Sequence, residues 1–208
     1  MNEDIEIRKK VFIDKLKQSI NFKNSKIVYI LSFIAITICA WYVRTRNLPL
    51  LQGKYLIELD SYFFFRYAKT IFETGTLPAI DFMRYVPEGA ATAPYAGFPY
   101  VMAYMYKAIH FFAPSIPQIT WHVMYPPIIT VISLIFFFLF VRELFDKRIA
   151  IVATAFLAVI PAYIQRTSAG FADHEAMAML WIFAALWLFV KAWKSEKITR
   201  AVIFGIAS

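Results

Sequence analysis

The chain has 208 residues, 60% of them apolar and 18% aromatic, with positive mean hydropathy and a formal charge of +8. Soluble domains average about 45–50% apolar, so a soluble domain is excluded and a membrane protein is expected. The charge does not point to nucleic acid, because Lys and Arg gather at the ends of apolar runs, as membrane topology requires, and form no basic stripe with stacking aromatics. The single cysteine, Cys39, lies inside the first apolar run; it can form no intrachain disulfide and is assigned to packing.

Residues 1–26 mix charges of both signs, and Ile5, Phe12, Leu16 and Ile20 recur at roughly helical spacing with lysines between them. This predicts a cytoplasmic basic amphipathic helix lying on an anionic leaflet, with a solvated tail as the equal alternative. The segment is too long and too acidic to open a signal peptide. Ile27–Val43 is an uncharged run of 17 residues, about 26 Å of helix and near the short limit for a membrane span. Trp41, Tyr42, Arg44 and Arg46 close it and read as an interfacial anchor.

Residues 44–118 form a long connecting loop. Within it, Asp60–Phe72 reads as a short helix with Phe63, Phe64, Tyr67 and Ile71 on one side, ended by Gly75; Gly97–Phe112 reads as a second, aromatic-rich helix. Both suit the headgroup boundary and are expected to be interfacial. A second span is expected over Ile119–Val141, its straight helix beginning at Pro126-Pro127. A basic turn over 142–148 leads to a third span, Ile149–Ile164, with Pro161 near its end. The fourth span is Ala176–Trp193. A fifth apolar run opens at Ala201 and the chain stops within eight residues, about 12 Å of helix. The sequence is therefore expected to be the N-terminal part of a longer protein or one piece of a split one, with residues 27–208 belonging to an all-α, polytopic transmembrane helix bundle with a long external loop.

Sidedness follows from the spans. With 1–26 cytoplasmic, 142–148 and 191–200 fall on the same side, and these segments hold 7, 3 and 4 of the 22 Lys and Arg residues. Asp60 and the run Arg166-Thr-Ser-Ala-Gly-Phe-Ala-Asp173-His174-Glu175 then share the external face. Asp173 and Glu175 fall at the edge of the lipid, where an unpaired charge is costly. Carboxylates at i and i+2 do not face each other on a helix, but both reach one cation from an extended turn, which Gly170 favours. Three such acids suit Mg²⁺ or Mn²⁺ and, through the metal, a phosphate. The plainer alternative, which spacing alone favours, is that Asp173 and Glu175 cap the fourth helix. Arg166 suits either a carboxylate or phosphate oxygen or an interfacial anchor. His174, between two acids aimed at a metal, is expected to turn away from it, and His110 and His122 to pack.

Four stretches resemble the catalytic membrane subunit of oligosaccharyltransferase in its archaeal form: Leu59-Asp60-Ser61-Tyr62-Phe63-Phe64-Phe65-Arg66, Asp81-Phe82-Met83-Arg84-Tyr85-Val86-Pro87-Glu88-Gly89, Pro94-Tyr95-Ala96-Gly97-Phe98-Pro99, and Arg166 through Glu175. The resemblance runs from about residue 27 onward. One departure stands out: the family commonly has Asp-Pro where this chain has Asp60-Ser61. The resemblance implies a bundle of GT-C type that transfers a lipid-linked oligosaccharide from a dolichyl or polyprenyl phosphate carrier to asparagine in Asn-x-Ser/Thr acceptor polypeptides. It further implies that Asp60, Asp173 and Glu175 hold Mn²⁺ or Mg²⁺, that Asp60 also engages the acceptor amide, that Arg166 braces the carboxylates, and that Arg84 touches the glycolipid phosphate. The family's external-loop glutamate motif and its Trp-Trp-Asp-like motif are not found in 1–208, so these residues alone are expected to be inactive.

Three other readings compete. One is another polyprenyl-phosphate-sugar glycosyltransferase of the same superfamily, separated by its acceptor. A transporter is disfavoured because the centres of the spans carry no Asp, Glu, Lys or Arg. A purely structural membrane subunit is the third.

Overall fold

The computed structural model describes residues 26–208, so the expected amphipathic segment, apart from Lys26, lies outside the described residues. The order is α1 (Lys26–Thr45), α2 (Leu48–Leu51), α3 (Leu59–Thr74), β1 (Ile80–Asp81), β2 (Ala90–Ala91), a 3-10 turn (Ala93–Tyr95), α4 (Gly97–Phe112), α5 (Gln118–Leu144), α6 (Lys147–Val159), α7 (Pro161–Thr167), α8 (Glu175–Trp193) and α9 (Ile198–Ala207). Among the described residues three helices are long and apolar enough to cross a membrane: α1 with its continuation to Leu51, α5 and α8. The pair α6 and α7 makes a fourth if the two count as one span.

Local chemistry explains the boundaries. The Asp146 carboxylate accepts from the Arg148 and Ile149 N–H groups at 2.7 and 2.9 Å, starting α6 as an N-cap. Gly75, at φ +87°, closes α3 by donating its N–H to Ile71 O, a backbone setting that favours glycine. Pro161 occupies the first helical position of α7, where its missing N–H costs nothing.

The third span differs from expectation, and the second does so only at its prolines. The third is broken: α6 ends at Val159 and α7 leaves at 63°, because Pro161 can neither donate into the preceding turn nor sit there without a clash. The second starts at Gln118, one residue before the expected Ile119, and is one unbroken helix with both prolines inside it rather than a helix that begins at them. Their missing N–H groups leave the carbonyls one turn earlier without intrahelical donors, and one of those carbonyls finds another partner described below.

Helix α5 is the centre of the bundle, packed along α8 and α6, while α1 packs on α6 and α9 folds back on α8. Only Ala40 and Arg44 of α1 are buried; Ile27, Ile30, Leu31, Ile34 and Ile38 face outward, as a helix bathed in lipid requires. The loop helices do not stand apart from the bundle. Ile71, Ala68, Met102 and Tyr106 from α3 and α4 share one apolar core with Trp121, Val123 and Tyr125 of α5 and with Ala172, Ala176 and Met177. Burial at about 25 cal/mol per Å² of apolar surface fastens the loop to the end of α5. A short antiparallel pair, Ile80 with Ala91 and Asp81 with Ala90, ties the intervening segment together.

Candidate functional site

Helices α3 and α4, the 81–84 turn and the 168–174 strap between α7 and α8 enclose a cleft of about 1290 Å³. Its walls include Asp60, Arg84, Asp173 and His174, set among Phe63, Phe64, Tyr95 and Phe98. Asp60 is exposed, in the first turn of α3, where its charge complements the helix dipole. Ser61 follows it in that same turn. First-turn N–H groups have no intrahelical partner, so the helix begins at Leu59 without the family's proline.

Asp173 reaches the cleft from the strap rather than from the body of α8. Its carboxylate is buried, takes the His174 N–H at 2.6 Å, and touches His174 Nδ1 at 2.5 Å. The imidazole therefore turns toward Asp173, contrary to expectation: Glu175 already belongs to the first turn of α8, leaving 173–174 as the turn that folds the ring back. Ligand atoms of Asp173, His174 and Glu175 all lie within 4.8 Å of one another. Asp60 lines the same cleft as Asp173 and His174 but is not of that close group.

Arg166, at the end of α7, donates from Nη1 to Glu175 Oε1 at 2.9 Å and stands 3.8 Å from Glu58 Oε2; its guanidinium rests over Phe171. It thus meets carboxylates from both arms of the site. Glu175 Oε2 and Glu58 Oε2 are buried without hydrogen-bond partners, a condition that costs about 1–3 kcal/mol per group unless something meets them. Two hard carboxylates, one of them Glu175 with an unpartnered Oε2, and an imidazole form a donor set that fits a divalent cation. Part of the helix-terminus alternative is present as well: Glu175 lies in the first turn of α8, where its charge complements the helix dipole, and the Asp173 carboxylate takes the N–H of His174 at the helix start, although α8 has no side-chain cap hydrogen bond from its N-cap residue.

Arg84 stacks between Phe63 and Tyr95, 4.6 and 4.8 Å from their centroids, with Nη1 buried and unpartnered. Its turn is fixed by Asp81, which receives both terminal nitrogens of Arg66, the Tyr67 hydroxyl at 3.0 Å and the Met83 N–H at 3.0 Å. Arg66 above all holds the Asp81 carboxyl down to about 2. Of the other histidines, His110 packs against Phe72 and Tyr106, and His122 is buried with its ring edge on Phe65.

Sequence reasoning missed two residues here. Glu58 carried a signal, for Glu58-Leu59-Asp60 repeats the spacing of Asp173-His174-Glu175. Tyr125 carried none: fully buried on α5, its hydroxyl donates to Asp173 O at 3.0 Å and accepts the Met177 N–H at 3.1 Å, pinning the acid turn to the central helix.

Fold and site together define a polytopic, all-α membrane protein with an acidic cleft at one end of its spans. The family model described as oligosaccharyl transferase STT3, N-terminal, matches residues 19–208, and the chain belongs to that family. Solved structures of the Archaeoglobus fulgidus oligosaccharyltransferase share the fold. The apo form is 24% identical with a TM-score of 0.72, covering 88% of this chain and 23% of that one. The archaeal oligosaccharyltransferase AglB from Archaeoglobus fulgidus, in complex with an inhibitory peptide and a dolichol-phosphate, is 23% identical with a TM-score of 0.67, covering 86% and 22%. The Archaeoglobus fulgidus oligosaccharyltransferase of the apo form, in complex with zinc and sulfate, is 24% identical with a TM-score of 0.63, covering 84% and 24%. The chain thus spans about a quarter of the length of the solved proteins it matches.

Proposed function

We propose that this chain supplies the membrane-embedded acidic site of a metal-dependent transfer of lipid-linked oligosaccharide, from a dolichyl or polyprenyl phosphate carrier to asparagine in Asn-x-Ser/Thr acceptors. The observation that carries the reading is the cleft itself, with Asp60, Asp173, His174 and Arg84 in one aromatic-walled cavity and ligand atoms of Glu175 within 4.8 Å of those of Asp173 and His174. Archaeal relatives have been solved with a peptide and a dolichol-phosphate, and separately with zinc and sulfate, ligands of the kinds such a site takes.

In this reading Asp173 and Glu175 hold Mn²⁺ or Mg²⁺ together with Asp60, and His174 is placed to join them. The bound cation would neutralise charge developing on the leaving phosphate. Asp60, exposed at the head of α3, accepts hydrogen bonds from the acceptor amide and orients a nitrogen that is a poor nucleophile. Arg166 keeps Glu175 turned toward Asp173 through its 2.9 Å bond. Arg84, held flat between two rings, offers its free Nη1 to a phosphate oxygen. The cleft opens on the external face, next to the leaflet that would hold the carrier.

The test is substitution in the complete protein. Asp173→Ala and Glu175→Ala should each lower glycan transfer to an acceptor peptide by at least about a hundredfold, the scale for losing a preorganised electrostatic group. Expression and thermal unfolding should be unchanged. Near-normal transfer by both variants would rule the assignment out.

A further inference from the structure

Arg44 was expected to anchor the first span at the interface, yet it is 0% exposed. Its Nε donates to Thr167 Oγ1 at 2.7 Å, its Nη1 to Ala158 O at 2.8 Å and to Ala40 O at 3.2 Å, and its Cζ lies over the Tyr163 ring, 5.1 Å from the centroid. The physical reason is the broken span. The 63° bend at Ile160-Pro161 strips the last carbonyls of α6 of the donors a continuing helix would supply, and Arg44 fills that gap at Ala158.

The same residue also holds the strap through its backbone. The Ala169 N–H donates to Arg44 O at 2.8 Å, and Asn47 Nδ2 donates to Ala169 O at 2.8 Å. At the next residue three segments cross: the Gly170 N–H donates to Val123 O at 2.9 Å, and Gly170 O accepts the Ile57 N–H at 3.0 Å. Both arms of the cleft start from this crossing. Ile57 directly precedes Glu58 and Asp60, while Gly170 leads into Asp173 and follows Arg166.

We propose that Arg44 is a positioning residue for the cleft: by capping the break at Ala158, holding the end of α7 at Thr167 and clamping the strap at Ala169, it fixes the spacing of the Asp60 arm and the Asp173–Glu175 arm. Lysine cannot substitute for it. The geometry needs a planar fork whose Nε and Nη1 diverge toward two elements while the face lies on a ring, and an ammonium supplies only a point charge. Arg44 does not line the cleft, so its influence travels through the strap. The inference rests on the reading that the acids hold a cation, and its test separates the two.

Arg44→Lys and Asn47→Ala are made in the complete protein, purified in detergent. The second removes one hydrogen bond and protects against a failure of the first to fold. In metal-free protein, amide exchange at 168–172 should quicken about tenfold in both. Mn²⁺ affinity, titrated by electron paramagnetic resonance, should weaken about tenfold, the effect typical of losing a supporting shell. The kcat for glycan transfer should fall while KM for the acceptor peptide holds. Wild-type exchange and wild-type Mn²⁺ affinity in both variants would overturn the proposal. So would a lower unfolding temperature with strap exchange unchanged, which marks a merely structural role. If the wild type itself binds no Mn²⁺, the reading of the acids fails, whereas the exchange data still judge Arg44.

Discussion

Asp81 illustrates how single side chains hold this cleft in shape. Buried beside the loop it organises, it keeps its charge because Arg66 grips it with two nitrogens while Tyr67 and the Met83 N–H complete its shell. Its carboxyl is lowered from 3.8 to about 2, Arg66 being the main cause. A carboxyl depressed in the folded state stabilises above its unfolded pKa and loses that stabilisation as the pH falls through the folded value. The window for Asp81 is therefore from about pH 4 down to about pH 2. Arg66→Met should cost about 2 kcal/mol at neutral pH, the scale of a hydrogen bond to a charged group, and should flatten the acid limb of stability in that window. Thermal melts of both proteins across the window would check it; parallel acid limbs would exclude the role of Arg66. None of this was legible in the sequence, where Asp81 and Arg84 stood in one motif and only Arg84 drew attention. An aspartate that bonds an arginine fifteen residues earlier looks, in the chain, like any other loop acid.

At the scale of elements, proline supplies sockets that other segments fill. Pro127 has no N–H to give to Val123 O, so that carbonyl is free for the Gly170 N–H, although the helix carries straight through both prolines. The meeting is close enough to require glycine. Gly170 sits at φ +87°, and a Cβ there would stand 2.8 Å from Leu51 Cδ1 and 3.2 Å from Ile57 Cγ1. Gly170→Ala should therefore destabilise the protein by about 1–3 kcal/mol through backbone strain alone, and should loosen the strap enough for limited proteolysis to cut there first. A melting temperature and cleavage pattern equal to wild type would contradict this. Helix boundaries were largely readable, because they are written locally: Gly97–Phe112 matched α4 residue for residue, and the fourth span began within one residue of α8. The break in the third span was readable only as Pro161, not as a bend. Whether the chain kinks at a proline depends on what receives the freed carbonyls, and here that is Arg44, 114 residues away at Ala158. For the same reason Arg44 itself was misjudged. An arginine after an apolar run reads identically whether it snorkels to water or turns inward to a broken helix.

For the whole molecule, the decisive question is whether the two acidic arms share a membrane face. The structure answers it geometrically, since Asp60 and Asp173 line one cleft and Arg166 stands between Glu58 and Glu175. For which face this is, charge gives the expectation. The loop joining α5 to α6 carries Arg142, Lys147 and Arg148, the region joining α8 to α9 carries Lys191, Lys194, Lys197 and Arg200, and both lie at the opposite ends of the spans from the cleft. Short basic loops stay in the cytoplasm, so the cleft should open outside. With Cys39 replaced by alanine, single cysteines at Met83, 76% exposed beside the cleft, and at Arg148 report the two faces. An impermeant maleimide on intact cells should label Met83→Cys and should reach Arg148→Cys only after the membrane is opened. Labelling of both from outside would break the alternation of the spans, and labelling of Arg148→Cys alone would place the cleft in the cytoplasm. Either result would deprive the site of an acceptor presented outside the cell.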